Sequence, residues 1–197
     1  MNIGIIILAA GVSKRMGVPK QLLDINGEIM LNKIIKEALA VENVTVTVVL
    51  GANKELIMPQ LKNFPINIVE NLAWHSGMAS SIIRGMAGAY LMDKELEQVI
   101  FSTADMPEMS TAFFEKLIKV AQKTERSIVA SKYQDTIGVP ILVKKGLFNE
   151  LLALKGDEGA RQIFIKNKSN IKTLTFDGIG IDLDTKEDYL NYINVKN

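Results

Sequence analysis

A chain of 197 residues with 48% apolar and 23% charged residues has the composition of one globular domain, which excludes disorder, collagen and coiled coil. Its 23 Lys and Arg stand against 22 Asp and Glu, a formal charge of +1, so no global field draws it to nucleic acid or a membrane. With no Cys, disulfides, thiolate metal sites and cysteine nucleophiles are excluded, in keeping with a reducing cytoplasm.

The chain opens on Met1-Asn2-Ile3-Gly4-Ile5-Ile6-Ile7-Leu8-Ala9-Ala10. That run has no cationic leader and is too short to span a bilayer, so it predicts a buried strand of a soluble, cytoplasmic protein. Further strand-length apolar runs follow at 44–50, 66–69, 99–102, 128–130, 140–143 and 171–176. Most are rich in Ile and Val without clean alternation, as strands buried on both faces are. Between them lie helical stripes: Met30, Ile34, Ile35 and Ala38; then Ile82, Met86, Ala89 and Tyr90; then Phe113, Phe114, Leu117, Ile118 and Ala121. Strand–helix alternation predicts a single-domain α/β fold, a mostly parallel sheet with helices on both faces. Ligands of such sheets bind beyond the carboxyl ends of the strands, where strand order reverses. Chemistry is therefore expected in the loops after Leu8, after Ser102 and around Asn71.

The first of these loops runs Leu8-Ala9-Ala10-Gly11-Val12-Ser13-Lys14-Arg15-Met16-Gly17-Val18-Pro19-Lys20-Gln21. Its small residues let a phosphate approach the backbone amides, and Arg15 and Lys20 add a planar fork and a mobile point charge. Neither G-x-x-x-x-G-K-[ST] nor G-x-G-x-x-G occurs, so the two common phosphate-loop motifs are excluded.

Asp105 follows the run at 99–102. Beside a triphosphate, a carboxylate there calls for a cation, and Mg2+ suits one or two carboxylates plus phosphate oxygens. Helix capping is the plainer alternative, but Ser110 is the better-placed cap for the next helix. Gly77-Met78-Ala79-Ser80-Ser81 opens a helix whose amides and hydroxyls offer an anion or sugar site, or a plain start capped by Ser76. His75, the one histidine, reads as a polar loop residue, with pocket lining beside Trp74 the alternative. Met78, Met86 and Met92 read as core packing, with Met78 near a base. Asp157 and Arg161 stand four apart at a helix start, where they can pair with each other. Asp182 and Asp184 fall on the same side of an expected strand. Thr185 to Asp188 fits a capping box, with Asp184 then complementing the helix dipole. A calcium loop is excluded there, because Glu187 stands where Gly and Ile193 where Glu is needed.

Together these segments resemble the nucleotidyltransferases that modify the molybdenum cofactor, above all the molybdenum cofactor cytidylyltransferases. The first loop is similar to the family's L-A-A-G-x-S-x-R-M-G-x-P-K, residues 71–81 to its N-x-x-W-x-x-G-M-x-x-S, and Asp105-Met106-Pro107 to its metal-binding D-M-P. Gly138-Val139-Pro140 resembles its G-x-P, residues 156–161 its G-D-x-G-A-R, and residues 182–188 its closing D-x-D-T-P-E-D. The matches cover nearly the whole chain in the family's order. Lys186 replaces the usual Pro, and Lys20-Gln21 stands where many relatives have Asn-Lys.

The resemblance implies a Rossmann-like nucleotidyltransferase fold over residues 1–197, with Leu8, Ala9, Ala10, Gly11, Ser13, Arg15, Lys20, Asn71, Gly77, Met78, Ser81 and Ala104 around the nucleotide. It implies Arg15, Lys20 and Asp105 as the catalytic residues, Mg2+ on Asp105 with Asp184 (Asp182 the alternative), and Asp157 and Arg161 toward the acceptor. The implied reaction transfers CMP from CTP to the terminal phosphate of molybdenum-loaded molybdopterin, releasing pyrophosphate. A molybdenum hydroxylase or its chaperone is the implied recipient. Guanine-using relatives carry L-A-G-G where this chain has Leu8-Ala9-Ala10-Gly11. The alternatives are a guanylyltransferase on the same cofactor, another CTP-dependent cytidylyltransferase, a nucleotide-sugar glycosyltransferase and a nucleotide-binding regulator.

Overall fold

Alternate residues of the first strand go to opposite sides of one sheet. In β1 (Ile3–Ala9), Ile3, Ile5, Ile7 and Ala9 join one hydrophobic core, and Ile6 joins another on the opposite face. A strand buried on both faces has no polar side, which is why its sequence lacks alternation. The computed structural model describes residues 2–133, 136–175 and 182–196.

A two-residue hairpin follows, β2 (Asp24–Ile25) and β3 (Glu28–Ile29), then α1 (Met30–Leu39). The chain continues through β4 (Val44–Leu50), α2 (Lys54–Ile57), β5 (Asn67–Glu70), α3 (Met78–Met92), β6 (Gln98–Thr103) and α4 (Thr111–Gln122). It ends with β7 (Ile128–Tyr133), β8 (Thr136–Lys144), α5 (Phe148–Leu152), α6 (Ala160–Lys166), β9 (Ile171–Thr175) and α7 (Lys186–Lys196). Phe176, at the end of the last expected strand, lies outside the described residues.

The seven-stranded sheet has the order β5-β4-β1-β6-β8-β7-β9. Its pairs are parallel except those of β8 with β6 and β7, which bears out a mostly parallel sheet. From β1 the chain steps outward to β4 and β5, then returns to lay β6 on the other flank of β1. That reversal opens a crevice beyond the carboxyl ends of β1 and β6. α1, α4 and α7 cover one face, and α3 with the α5 and α6 segments covers the other.

One helical stripe reaches further than its helix buries. Tyr90 and Met92 at the end of α3 are exposed, so neither packs in the core. The start of α4 also differs from expectation. Ser110 holds the N-cap position but makes no side-chain cap bond. Glu37 of α1 caps instead, its Oε2 accepting from Thr111 N at 2.7 Å and from Thr111 Oγ1 at 2.6 Å. A carboxylate on the exposed amides of a helix start also complements the helix dipole. Glu37→Ala is expected to lower unfolding free energy by about 1 kcal/mol, the usual worth of a lost cap. Chemical denaturation measures it, and an unchanged midpoint contradicts the assignment.

Candidate active site

The loop after β1 is folded tightly on itself. Ser13 adopts a left-handed backbone, φ 57°, and its carbonyl accepts from Met16 N and Gly17 N at 3.1 and 3.2 Å. Met16 anchors the loop in the core. Ser13 Oγ accepts from Lys20 N at 3.1 Å and donates to Gln21 Oε1 at 3.4 Å. The hydroxyl thus braces the loop from within. On the other flank, Ala10 O accepts from Ala52 N at 3.1 Å. That approach needs Gly51, where a Cβ would stand 2.7 Å from Ala10 O and 2.8 Å from Trp74 Cβ.

Asp105 is brought to this loop by backbone. Ala104 N donates to Leu8 O at 3.3 Å, and Leu183 N donates to Asp105 O at 3.0 Å. Leu183 is fully buried, which fixes the two aspartates on either side of it. Residues 182–184 form no strand, so the strand argument that put Asp182 and Asp184 on one side does not apply. The capping box does form: Thr185 N and Asp184 N donate to Asp188 Oδ2 at 2.7 and 3.2 Å, and Asp188 N donates to Thr185 Oγ1 at 3.1 Å. Asp188 and Thr185 do the capping, and the Asp184 carboxylate takes no part in it.

That carboxylate is held by two cations. Arg15 Nη2 donates to its Oδ2 at 2.6 Å and Lys20 Nζ to its Oδ1 at 3.0 Å. Lys20 also pairs with Asp105 Oδ2. Burial alone would push the Asp184 carboxyl up, but the bond and charge of Lys20, joined by Arg15, hold it below its usual range. A depressed folded pKa means that these contacts support the fold above the ordinary carboxylate range and are lost as pH falls through the lowered value. Lys20 feels burial pulling its pKa down, yet Asp105 and Asp184 together raise it, so it stays an ammonium. Asp182 keeps solvent contact as a residue. Partial desolvation of its carboxyl, joined by the charges of Asp105 and Asp184 and opposed by Lys20, pushes it up to about 6.

The opposite wall is the start of α3. Asn71, fully buried, donates from Nδ2 to Ser80 Oγ and Ser81 Oγ at 2.8 and 3.0 Å and accepts from Ala73 N at 3.0 Å. It thus holds the 71–81 segment from behind. Ser76 Oγ donates to Ala73 O and does not cap α3. The N-cap is Gly77, φ 104°, where a Cβ would stand 2.3 Å from the Gly156 carbonyl. Ala79 N is already taken by Gly156 O at 3.0 Å, so this helix start offers fewer open amides than its sequence implies.

The cleft between these walls has a volume of about 330 Å³, ample for a small ligand. Leu8, Ala10, Gly11, Lys20, Gly77, Met78, Ser81, Ala104, Asp105 and Asp157 all line it. Ala9 is buried and contributes its carbonyl to the loop's bracing, whereas Arg15 stands at the rim on Asp184. Met78 lies exposed at the wall, not in the core. Trp74 and His75, in edge-to-face contact at 5.9 Å, also line the cleft. Lys14 and Thr103 do so too and were missed; the position of Lys14 inside the basic loop was the available signal. The Arg161 side chain lies outside the described residues.

The donor set fits a divalent ion. Asp105 Oδ1 is buried without a hydrogen-bond partner while Oδ2 meets Lys20, and Asp184 stands on the same ammonium. No cluster of three or more metal-binding side chains occurs among the described residues. A divalent ion here would be completed by substrate oxygens, the manner of Mg2+. No helix among the described residues is long and apolar enough to cross a membrane.

Gly77→Ala is expected to destabilise the protein by about 1–3 kcal/mol, because it combines a strained φ with a backbone clash. Differential scanning calorimetry reads the loss, and a variant as stable as wild type would show that Gly156 moves freely.

Comparison with known proteins agrees with this geometry. Residues 5–171 match the model of the MobA-like NTP transferase domain. Nicotine blue oxidoreductase of Paenarthrobacter nicotinovorans is 29% identical over 192 residues, covering 92% of each chain. A nucleotidyl transferase from Methanothermobacter thermautotroptrophicus superposes with a TM-score of 0.81 at 18% identity, covering 99% of each chain. A Mycobacterium tuberculosis H37Rv protein, solved in complex with manganese, superposes with a TM-score of 0.78 at 23% identity, covering 98% of each chain. These two likenesses concern the fold alone. With its Rossmann-like sheet and a family match over most of its length, the chain belongs to the MobA-like NTP transferase family of nucleotidyltransferases.

Proposed function

We propose that this nucleotidyltransferase moves CMP from CTP to the terminal phosphate of molybdenum-loaded molybdopterin, releasing pyrophosphate. The observation that carries the transfer is the meeting of Lys20, Arg15, Asp105 and Asp184 at the sheet's reversal point. Cations for phosphates and carboxylates for a metal stand within one contact of each other. Cytosine and the pterin acceptor rest on the motif resemblance.

In this reading an acceptor phosphate oxygen attacks the α-phosphorus in line, the bond to the β-phosphate breaks, and pyrophosphate leaves. The chain itself supplies position and charge, the main needs of phosphoryl chemistry. Lys20 and Arg15 take the negative charge of the leaving pyrophosphate, and the loop after β1 brings its amides to the same phosphates. Asp105 and Asp184 would hold Mg2+, which when bound supplies Lewis-acid neutralisation of phosphate charge. The manganese complex of a neighbour with the same fold supports a divalent ion here. Gly77 and Met78, with Ser81, form the wall for base and ribose; Asp157 lines the same cleft and, with Arg161, is assigned to the acceptor by the motif resemblance.

Pyrophosphate release with each of the four nucleoside triphosphates, with and without molybdenum-loaded molybdopterin, tests the substrates. Release only with CTP and acceptor is expected; release with GTP alone of the four, or without acceptor dependence, contradicts the assignment. Arg15→Ala and Lys20→Ala should each lower kcat/KM by about 10- to 1000-fold, as lost charge-stabilising donors do. A loss confined to melting temperature would reduce both to structural cations. The two aspartates separate in a Mg2+ titration of activity. Asp184→Asn should raise the Mg2+ midpoint with little change in melting temperature, and Asp182→Asn should leave it close to wild type. The reverse pattern would move the ligand to Asp182.

A further inference from the structure

The carbonyls of Ala9, Ala10 and Gly11 are all committed, and one buried side chain takes two of them. Gln21 Nε2 donates to Ala9 O at 2.9 Å and to Gly11 O at 3.0 Å. Gly11 O also accepts from Asn53 Nδ2 at 3.4 Å, and Ala10 O from Ala52 N at 3.1 Å. A trans peptide unit is planar, with its C=O and the following N–H on opposite sides. Drawing the carbonyls of Ala9 and Gly11 toward Gln21 therefore turns the N–H groups of Ala10 and Val12 away from it, and both of those residues line the cleft. Carbonyls turned the other way would present negative dipoles to an anion.

Gln21 has no side-chain donor left for a phosphate. Its side chain is in a residue only 1% exposed, both Nε2 hydrogens are used, and Oε1 accepts from Ser13 Oγ. The same hydroxyl accepts from the backbone N–H of Lys20. One network thus joins the start of the loop, its left-handed bend and the cation at its end.

We propose that Gln21 is a positioning residue for the triphosphate. It sets the peptide planes so that loop amides meet the phosphates, and through Ser13 it fixes those amides relative to Lys20. This inference rests on the triphosphate reading of the loop and adds the side chain through which the loop acts.

Gln21→Leu preserves bulk and removes both donors; Gln21→Met is the second variant should the first not fold. The measurement is affinity for inorganic tripolyphosphate with Mg2+, and for CTP, by titration calorimetry at a temperature where circular dichroism finds every protein folded. Both affinities should weaken by about 10- to 100-fold, the scale of misplacing a bound group by an ångström or less. The KM for CTP should rise with them. A Gln21 that only stabilises the fold would lower the melting temperature yet keep tripolyphosphate affinity within about twofold of wild type, and that result overturns the proposal. Should wild type bind no tripolyphosphate, the phosphate reading of the loop falls and this inference with it. If wild type binds and the folded variants bind equally, only the role of Gln21 falls.

Discussion

The Lys20 ammonium lies against Asp105 and 3.0 Å from Asp184, and these three side chains come from the first loop, the turn after β6 and the segment before α7. Lys20 and Asp105 are both largely buried, with side-chain exposures of 18% and 14%. Charges that leave water at this depth persist only when paired, and removing one partner strands the other. Arg15 to Asp184, with the arginine side chain 70% exposed, is the opposite case: solvent screens it, and it adds little to stability. The site therefore combines a buried inner pair with an exposed outer cation, an arrangement that suits a cleft receiving a polyanion.

Much of the remaining architecture serves that contact. The parallel β1 and β6 put two loops side by side, and the hydrogen bond from Ala104 N to Leu8 O joins them. Leu183 in the core and the capping box at Thr185 keep Asp184 from being spent on the helix. Tyr192 of α7 meets Glu108 and Lys33 of α1 meets the Pro107 carbonyl, so the loop carrying Asp105 is tied to two helices. Such outer contacts are what hold reacting groups to the tolerance that charge stabilisation demands.

The fold was legible where burial dictates sequence. The run predicted at 44–50 is β4 itself, and the buried faces of α1 and α4 follow their predicted stripes. Legibility failed where polar residues enter strands. Ser131, Lys132 and Tyr133 extend β7, and Thr136 to Gly138 extend β8, because ladder bonds do not require apolar side chains. The hairpin of β2 and β3 was missed although Asn26 and Gly27, both with positive φ, are the strongest short-range hairpin signal. Lys20, Asp105 and Asp184 were visible as residue types in suspect loops. That Asp184 meets Arg15 and Lys20 was not visible, since strand periodicity cannot describe residues outside a strand. Gly51 and Gly77 answer to neighbours distant in sequence, as does the capping by Glu37, and no local pattern contains that information.

The central claim is that triphosphate and divalent ion meet between Lys20, Asp105 and Asp184. Phosphorus NMR of CTP in exchange with the protein, with traces of Mn2+ as a relaxation probe, tests it directly. Strong protein-dependent broadening of the α-phosphorus is expected with wild type, and its loss with Asp105→Asn at a temperature where circular dichroism shows that variant folded. Equal broadening with both proteins would mean that the metal and the nucleotide meet elsewhere.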